Sequence, residues 1–222
     1  MEIRKEIIRY CLMMNSLGIN QGVSGNISAR QDDGAMIITP TGIPYDTLDP
    51  ADLVTLTFTG HYQGPLRPSS EWRIHGAIYQ NHPEIHAVVH AHPLFATALA
   101  IQHISIPAIH YMVAIGGGDD IPCADYATFG TETLARNVLS ALEERTVCLM
   151  EHHGLIATGP SLSVAMDRAV QTETLARQFV IAGLLGNPRI LPQEEMTRVL
   201  NKLGDYGLRS KSDSISGEGG KP

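Results

Sequence analysis

Lysine is nearly missing from the interior of this sequence. Only Lys5, Lys202, Lys211 and Lys221 occur, all close to the two ends. A Schiff-base mechanism needs a desolvated, activated lysine amine, so any carbonyl chemistry in this chain would turn to a metal instead. Positive charge is short overall. A net charge of −7 and a pI near 5.8 argue against nucleic acid as a partner, because such proteins carry a basic footprint. Cys11, Cys123 and Cys148 are odd in number, widely separated and in no CxxC pair. A disulfide framework is therefore not expected, and a reducing cytoplasm is the expected compartment. No apolar run approaches the roughly 20 residues of a membrane span, so no membrane partner is expected. The opening MEIRKEIIRYCLMM has acidic residues and no uninterrupted apolar core, and does not read as a secretory signal. AIGGGDDIP runs into Pro122 without a dinucleotide fingerprint, and a GxSxG nucleophile elbow is missing.

What is present suits one sizeable α/β domain, since 222 residues at 43% hydrophobic content can bury a substantial core. Ile3, Ile7, Ile8, Cys11 and Met14 fall at helical spacing, with Gly18 placed to end that helix. NISAR and AMIITP flank the turn signal QDDG and predict a hairpin, and LVTLTF (53–58) predicts another strand. The pattern from Ser70 predicts a helix that stops near Asn81, before Pro83. IHAVVHAH is strand-like and PLFATALA helix-like; TETLARNVLSALEE is a well-patterned helix. TVCLMEHHGLIATG reads as two short strands pivoting near Gly154, followed by a long helix over 161–186 and a last one at QEEMTRVLNKL. Without a repeated βαβ rhythm, the expected architecture is a central, mainly antiparallel β-sheet covered by α-helices. From Ser210 to Pro222 little can be buried, and that tail is expected to be disordered.

The stretch HAVVHAH carries His86, His90 and His92. Side chains alternate faces along a strand, so these even-numbered residues share one face. His90 and His92 make an HxH pair suited to a metal, which needs three or four converging donors. A third imidazole can come from HHG, where His152 and His153 precede Gly154; strand parity admits one of the two and does not say which. Glu71, among serines at a helix start, is a fourth candidate, and three histidines with one carboxylate suit Zn²⁺ or another divalent transition metal. A lone HxH is only moderately specific, and His86 reads as structural. His61, His75, His82, His103 and His110 show no such arrangement.

Three further stretches, VSGN (23–26), TPTG (39–42) and PSSE (68–71), set small hydroxyl or amide side chains beside Gly or Pro at element boundaries. Each alone is ordinary turn material. Together, with the helix start at Ser69–Ser70 offering unpaired backbone N–H groups, they can cradle a phosphate without lysine.

With these stretches in hand, the chain resembles the class II aldolase/adducin family. The matching segments are LGINQGVSGNISAR, ITPTGIPY, PSSEWRIH, AVVHAH, SIPAIHYM, IPCADYATFGT, HHGLIATG and DYGLR, which extend to about Arg209 and so define the expected domain, 1–209. The resemblance implies Zn²⁺ held by Glu71, His90, His92 and His153, since the family's ligand is the histidine immediately before glycine. It implies phosphate contacts from Gly25, Asn26, Thr41, Gly42, Ser69 and Ser70. Tyr111 matches a tyrosine that reaches in from a neighbouring subunit, Tyr206 one in the C-terminal segment, and Phe129 an aromatic near the substrate. The implied reaction is reversible cleavage of L-fuculose 1-phosphate, or a similar ketose 1-phosphate, to glycerone phosphate and L-lactaldehyde. Glu71 and Tyr111 are the implied catalytic pair, in a homotetramer with sites between subunits. A ribulose-5-phosphate 4-epimerase, a methylthioribulose 1-phosphate dehydratase and a non-catalytic adducin-like interaction domain are the alternatives.

Overall fold

The computed structural model describes residues 1–32 and 34–204; Tyr206 and the expected tail, 210–222, lie outside the described residues. Helix α1 (Glu2–Ser16) buries Ile7, Tyr10, Cys11 and Met14, the i, i+3, i+4, i+7 stripe of a helix with one face on a core. Strands β1 (Asn26–Arg30) and β2 (Ala35–Ile38) form the hairpin, with Ser28 opposite Ile38, and β3 (Val54–Thr57) pairs with β2. Next come α2 (Trp72–Asn81), β4 (Ala87–Ala91) and α3 (Leu94–Ile101). The Gly/Pro-rich middle holds structure that its composition hides. It contains a small ribbon of β5 (Ile106–Pro107) and β6 (Asp120–Ile121), a 3₁₀ turn at Tyr111–Gly116, and β7 (Cys123–Ala124). The chain continues through α4 (Glu132–Ala141), β8 (Val147–Met150), β9 (Gly154–Gly159), α5 (Leu162–Leu185) and α6 (Gln193–Gly204).

Among the described residues, seven strands make one sheet in the order β3-β2-β1-β4-β9-β8-β7. Every neighbouring pair is antiparallel except β7 and β8, which run parallel. The central strands β4, β8 and β9 are buried along their whole length, because helices cover both faces of the sheet. On one face Ala87, Val89, Leu155, Ala157 and Leu149 pack with α1, α3, α5 and α6. On the other Val88, Ile156, Cys148 and Met150 pack with Ile74, Ile78 and Tyr79 of α2 and Leu134 and Val138 of α4. Each fully buried Leu or Ile here contributes about 2–5 kcal/mol against truncation to Ala, so the sheet is a rigid platform.

That register sets up the site. Asn26 opposes His90 across β1–β4, and Ala91 opposes Leu155 across β4–β9. The first residue of β1, the last residues of β4 and the β8–β9 turn therefore meet at one end of the sheet's middle. Among the described residues, no helix is long and apolar enough to cross a membrane. All three cysteines are free, with Cys11 and Cys148 buried.

Candidate metal centre and adjoining cavity

His90 lies on the α2 face of β4, between Val88 of that face and His92 two residues on. The His90 Nδ1–H donates to the Leu155 carbonyl oxygen at 2.9 Å, which aims the other nitrogen, Nε2, away from the backbone. There it meets Glu71 Oε2 at 2.9 Å and His92 Nε2 at 2.8 Å. His153 Nε2 completes the group, 3.1 Å from Glu71 Oε1. The three imidazole centroids lie 4.7, 4.9 and 4.9 Å apart, with the rings edge-to-face rather than stacked. All four donor atoms lie within 4.8 Å of one another.

Local sequence explains the convergence. Residues 67–69 run alongside 39–41, with Pro40 bridged to Pro68, Thr41 N–H donating to Arg67 O and Ser69 N–H to Thr39 O. Ser69 Oγ then accepts from Glu71 N–H, and its carbonyl accepts from Trp72 N–H, closing the first turn of α2 with Glu71 at its N-cap. On the opposite side, His152 takes a left-handed backbone (φ 54°) in the β8–β9 turn. This throws His152 outward, edge-on to Tyr126 at 5.9 Å, and leaves His153 facing Glu71. Of the two histidines in HHG, the one before glycine is the one in the cluster.

The donor set fits a divalent cation. Tetrahedral coordination with bonds of ~2.0–2.1 Å places donors ~3.3 Å apart, close to the contacts seen. Glu71 Oε1 is buried and makes no hydrogen bond, although an imidazole nitrogen lies 3.1 Å away. Two lone pairs pointing at one shared point give that arrangement. The electrostatics agree. Burial pushes the Glu71 carboxyl up, but His90 and His153 beside it outweigh this and hold it well below the ordinary carboxylate range. Burial pulls His90 down, and Glu71 with the Leu155 carbonyl overcomes it, leaving His90 raised. His92 falls to about 3, through burial and then its two imidazole neighbours.

A cavity of about 490 Å³ opens beside the cluster, lined by Glu71, His92 and His153 and by Ser24, Thr41, Gly42 and Ser70 from the three small-residue loops. Among the described residues, no lysine or arginine lines it. Gly25, Asn26 and Ser69 are buried just behind these loops, and the Tyr45 hydroxyl donates to the Gly25 carbonyl. The Asn26 side chain is 3% exposed, its Nδ2 donating to Glu71 Oε2 at 3.0 Å and its Oδ1 2.6 Å from His75 Nε2. Phe129, 64% exposed, lines the cavity's outer part with Tyr126 and Ala127. Tyr111 is not there. It is 51% exposed on the 3₁₀ turn, stacked on His110 and bordering a separate groove with Arg198 and Leu203 of α6.

Sequence reasoning missed Tyr126 and His75, and weighed His152 only as a metal ligand rather than as cavity lining. Tyr126 and His152 line the cavity, and Tyr126 is held by its N–H donating at 2.8 Å to Glu151 Oε2, which lies 3.4 Å from His103 Nδ1. No periodic signal marks them. His75 is different. It sits fully buried behind Glu71, and its spacing was readable: Glu71, His75 and Tyr79 recur every four residues down one face of α2. Burial and the nearby His90 hold His75 down at about 3, so its imidazole is neutral.

A buried carboxylate and three imidazoles beside a hydroxyl-lined cavity, carried on this sheet, match a known pattern. The family model for the Class II Aldolase and Adducin N-terminal domain matches residues 5–180. The chain belongs to the class II aldolase/adducin family, and on its metal-dependent aldolase side. It is 46% identical over 209 residues to L-fuculose phosphate aldolase of Escherichia coli strain K12, covering 94% of this chain and 97% of that one. It is also 46% identical over 205 residues, 92% of each chain, to 5-methylthioribulose-1-phosphate/5-deoxyribulose-1-phosphate aldolase of Rhodospirillum rubrum. Among solved structures, an L-fuculose 1-phosphate aldolase superposes with a TM-score of 0.88 at 35% identity, over 91% of this chain and 96% of that one. At equal identity, these two aldolases leave the aldehyde half of the substrate open.

Proposed function

We propose that this chain is a zinc-dependent aldolase that reversibly cleaves L-fuculose 1-phosphate, or a close ketose 1-phosphate, between C3 and C4 to glycerone phosphate and an aldehyde, L-lactaldehyde in the first case. The observation that carries the proposal is the convergence of Glu71, His90, His92 and His153 beside a cavity edged by Thr41, Gly42 and Ser70. Those four would hold a divalent cation, which would supply Lewis acidity for negative charge on the C2 oxygen and C3.

The chain's own groups do the rest. Ser70, Thr41 and Gly42, with Gly25, Asn26 and Ser69 behind them, hold the phosphate away from the reacting bond and fix its orientation. Glu71 is depressed and thus ionised in the resting protein, and it moves the proton at C3. Tyr111 exchanges a proton with the C4 oxygen. Tyr111 is exposed and outside its own chain's cavity, which supports a role in the cavity of a neighbouring copy, in a proposed homotetramer with sites between subunits. Mixing Tyr111→Phe with His153→Ala chains checks this: shared assemblies regain turnover if the tyrosine works across the interface and stay inactive if it works within its own chain. Phe129, with Tyr126, forms the aldehyde-side wall, and Tyr206 is the remaining candidate there.

A second substrate reading is favoured by the R. rubrum relative: cleavage of 5-methylthioribulose 1-phosphate or 5-deoxyribulose 1-phosphate. All three substrates release glycerone phosphate and differ in the aldehyde. Comparing kcat/KM across the three decides the physiological substrate, and isomerisation without glycerone phosphate release would refute cleavage altogether.

A further inference from the structure

Behind Glu71 runs a buried chain of polar side chains that metal binding does not use. Tyr79 OH lies 2.7 Å from Ser28 Oγ, Ser28 Oγ lies 2.6 Å from His75 Nδ1, and His75 Nε2 lies 2.6 Å from Asn26 Oδ1. Asn26 Nδ2 ends the chain on Glu71 Oε2. Ser28, His75 and Tyr79 are each no more than 1% exposed.

The direction of every bond follows from its last member. An ionised carboxylate only accepts, so Asn26 must turn its NH₂ toward Glu71 and its oxygen toward His75. His75 therefore carries its proton on Nε2 and accepts at Nδ1. Ser28 must then donate to His75 and accept from Tyr79. Such one-way chains polarise along their length, and here each donor points toward the same negative charge. The alternative sense would set the Asn26 oxygen against Glu71 Oε2 inside the protein, which is repulsive.

We infer that His75 is a positioning residue for the reaction: acting through Asn26 and backed by Ser28 and Tyr79, it holds Glu71 Oε2 in one place and so presents the carboxylate correctly for its proton transfer. The inference rests on the acid–base role proposed above for Glu71. What it adds is a reason for burying a histidine, a serine and a tyrosine in the apolar layer between α2 and the sheet. If the site were filled only for packing, apolar groups would serve, because each buried polar atom is costly unless it is paired.

The prediction separates two isosteres. A Gln side chain places its amide nitrogen near the position of Nε2, whereas Asn reaches only to that of Nδ1. His75→Gln should retain turnover within about threefold. His75→Asn and His75→Ala should lose about 10–100-fold in kcat, the range for groups that orient a ligand, with KM and bound zinc nearly unchanged. If Gln and Asn variants are equally active, or activity tracks their melting temperatures alone, the positioning role is refuted. Should every variant misfold, ¹H–¹⁵N long-range spectra of the wild-type ring still decide. A proton on Nε2 supports the chain and a proton on Nδ1 overturns it. The tautomer reports on the chain alone and Glu71→Gln turnover on the acid–base reading alone, so the two failures are distinguishable.

Discussion

Gly154 packs directly against the end of β4: a β-carbon at this position would lie 2.4 Å from the Ala91 carbonyl oxygen and 2.9 Å from the His92 ring. Gly25 stands in the same relation on the other side, where a β-carbon would lie 2.7 Å from the His90 carbonyl oxygen. The two glycines let β1 and β9 close on the end of β4, which carries His90 and leads into His92. Gly154→Ala must push backbone aside, and it should weaken zinc binding by ~10–100-fold while leaving the helical circular dichroism signal in place. Competition against a chromophoric chelator measures this; unchanged affinity would mean the close approach does not set the ligand geometry.

His152 and His153 offer a sharper contrast, because the turn sends one outward and the other into the cluster. His153→Ala should remove tightly bound metal and turnover together. His152→Ala should keep stoichiometric zinc, since its ring touches Tyr126 rather than a ligand. Metal analysis of the two purified variants separates them. The reverse result would place the wrong imidazole in the shell.

How much of this was readable beforehand varies element by element. The mainly antiparallel sheet followed from the NISAR–AMIITP hairpin and the lack of a repeated βαβ rhythm, and the long α5 from its uninterrupted pattern. The ribbon of β5 and β6 and the parallel edge strand β7 did not, because strands of two residues are too short to show a period. In the site, residue types and motif spacing picked out Glu71, His90 and His92. They left His152 and His153 equivalent, since a left-handed backbone in a turn is not encoded by strand parity. His75 was passed over for a different reason. It lies in no HxH or HHG motif, and only the four-residue repeat of the helix brings position 75 under position 71.

The phosphate loops predict a split in kinetic constants. Ser70 and Thr41 line the cavity, and their proposed role is to hold the phosphate rather than to touch the reacting bond. Ser70→Ala and Thr41→Ala should raise KM for the sugar phosphate about tenfold or more and change kcat by less, the pattern of lost uniform binding. Inorganic phosphate should compete with substrate in the wild type and compete less well in both variants. A pure kcat loss would move these residues to the chemistry instead.

Acid should destabilise the metal-free protein through His75. Its folded value of about 3 lies below the ordinary 6.5, so between those two pH values the unfolded chain binds a proton that the folded chain refuses. Stability is then full above about pH 6.5 and falls as pH drops toward 3, with a slope approaching ~1.4 kcal/mol per pH unit for one proton. His92, also held at about 3, adds to the same slope. Urea unfolding of chelated protein across this range should show the decline, and His75→Gln should make it shallower. An identical slope in the variant would mean His75 does not titrate on unfolding.

The most direct test of the whole account is release of glycerone phosphate from L-fuculose 1-phosphate, with 5-methylthioribulose 1-phosphate in parallel, by protein as purified, stripped of metal, and reloaded with zinc. We predict release by the first and third preparations, none above background by the second, and loss of ~10²–10⁴-fold in zinc-loaded Glu71→Gln. Undiminished release by the stripped protein would contradict the account.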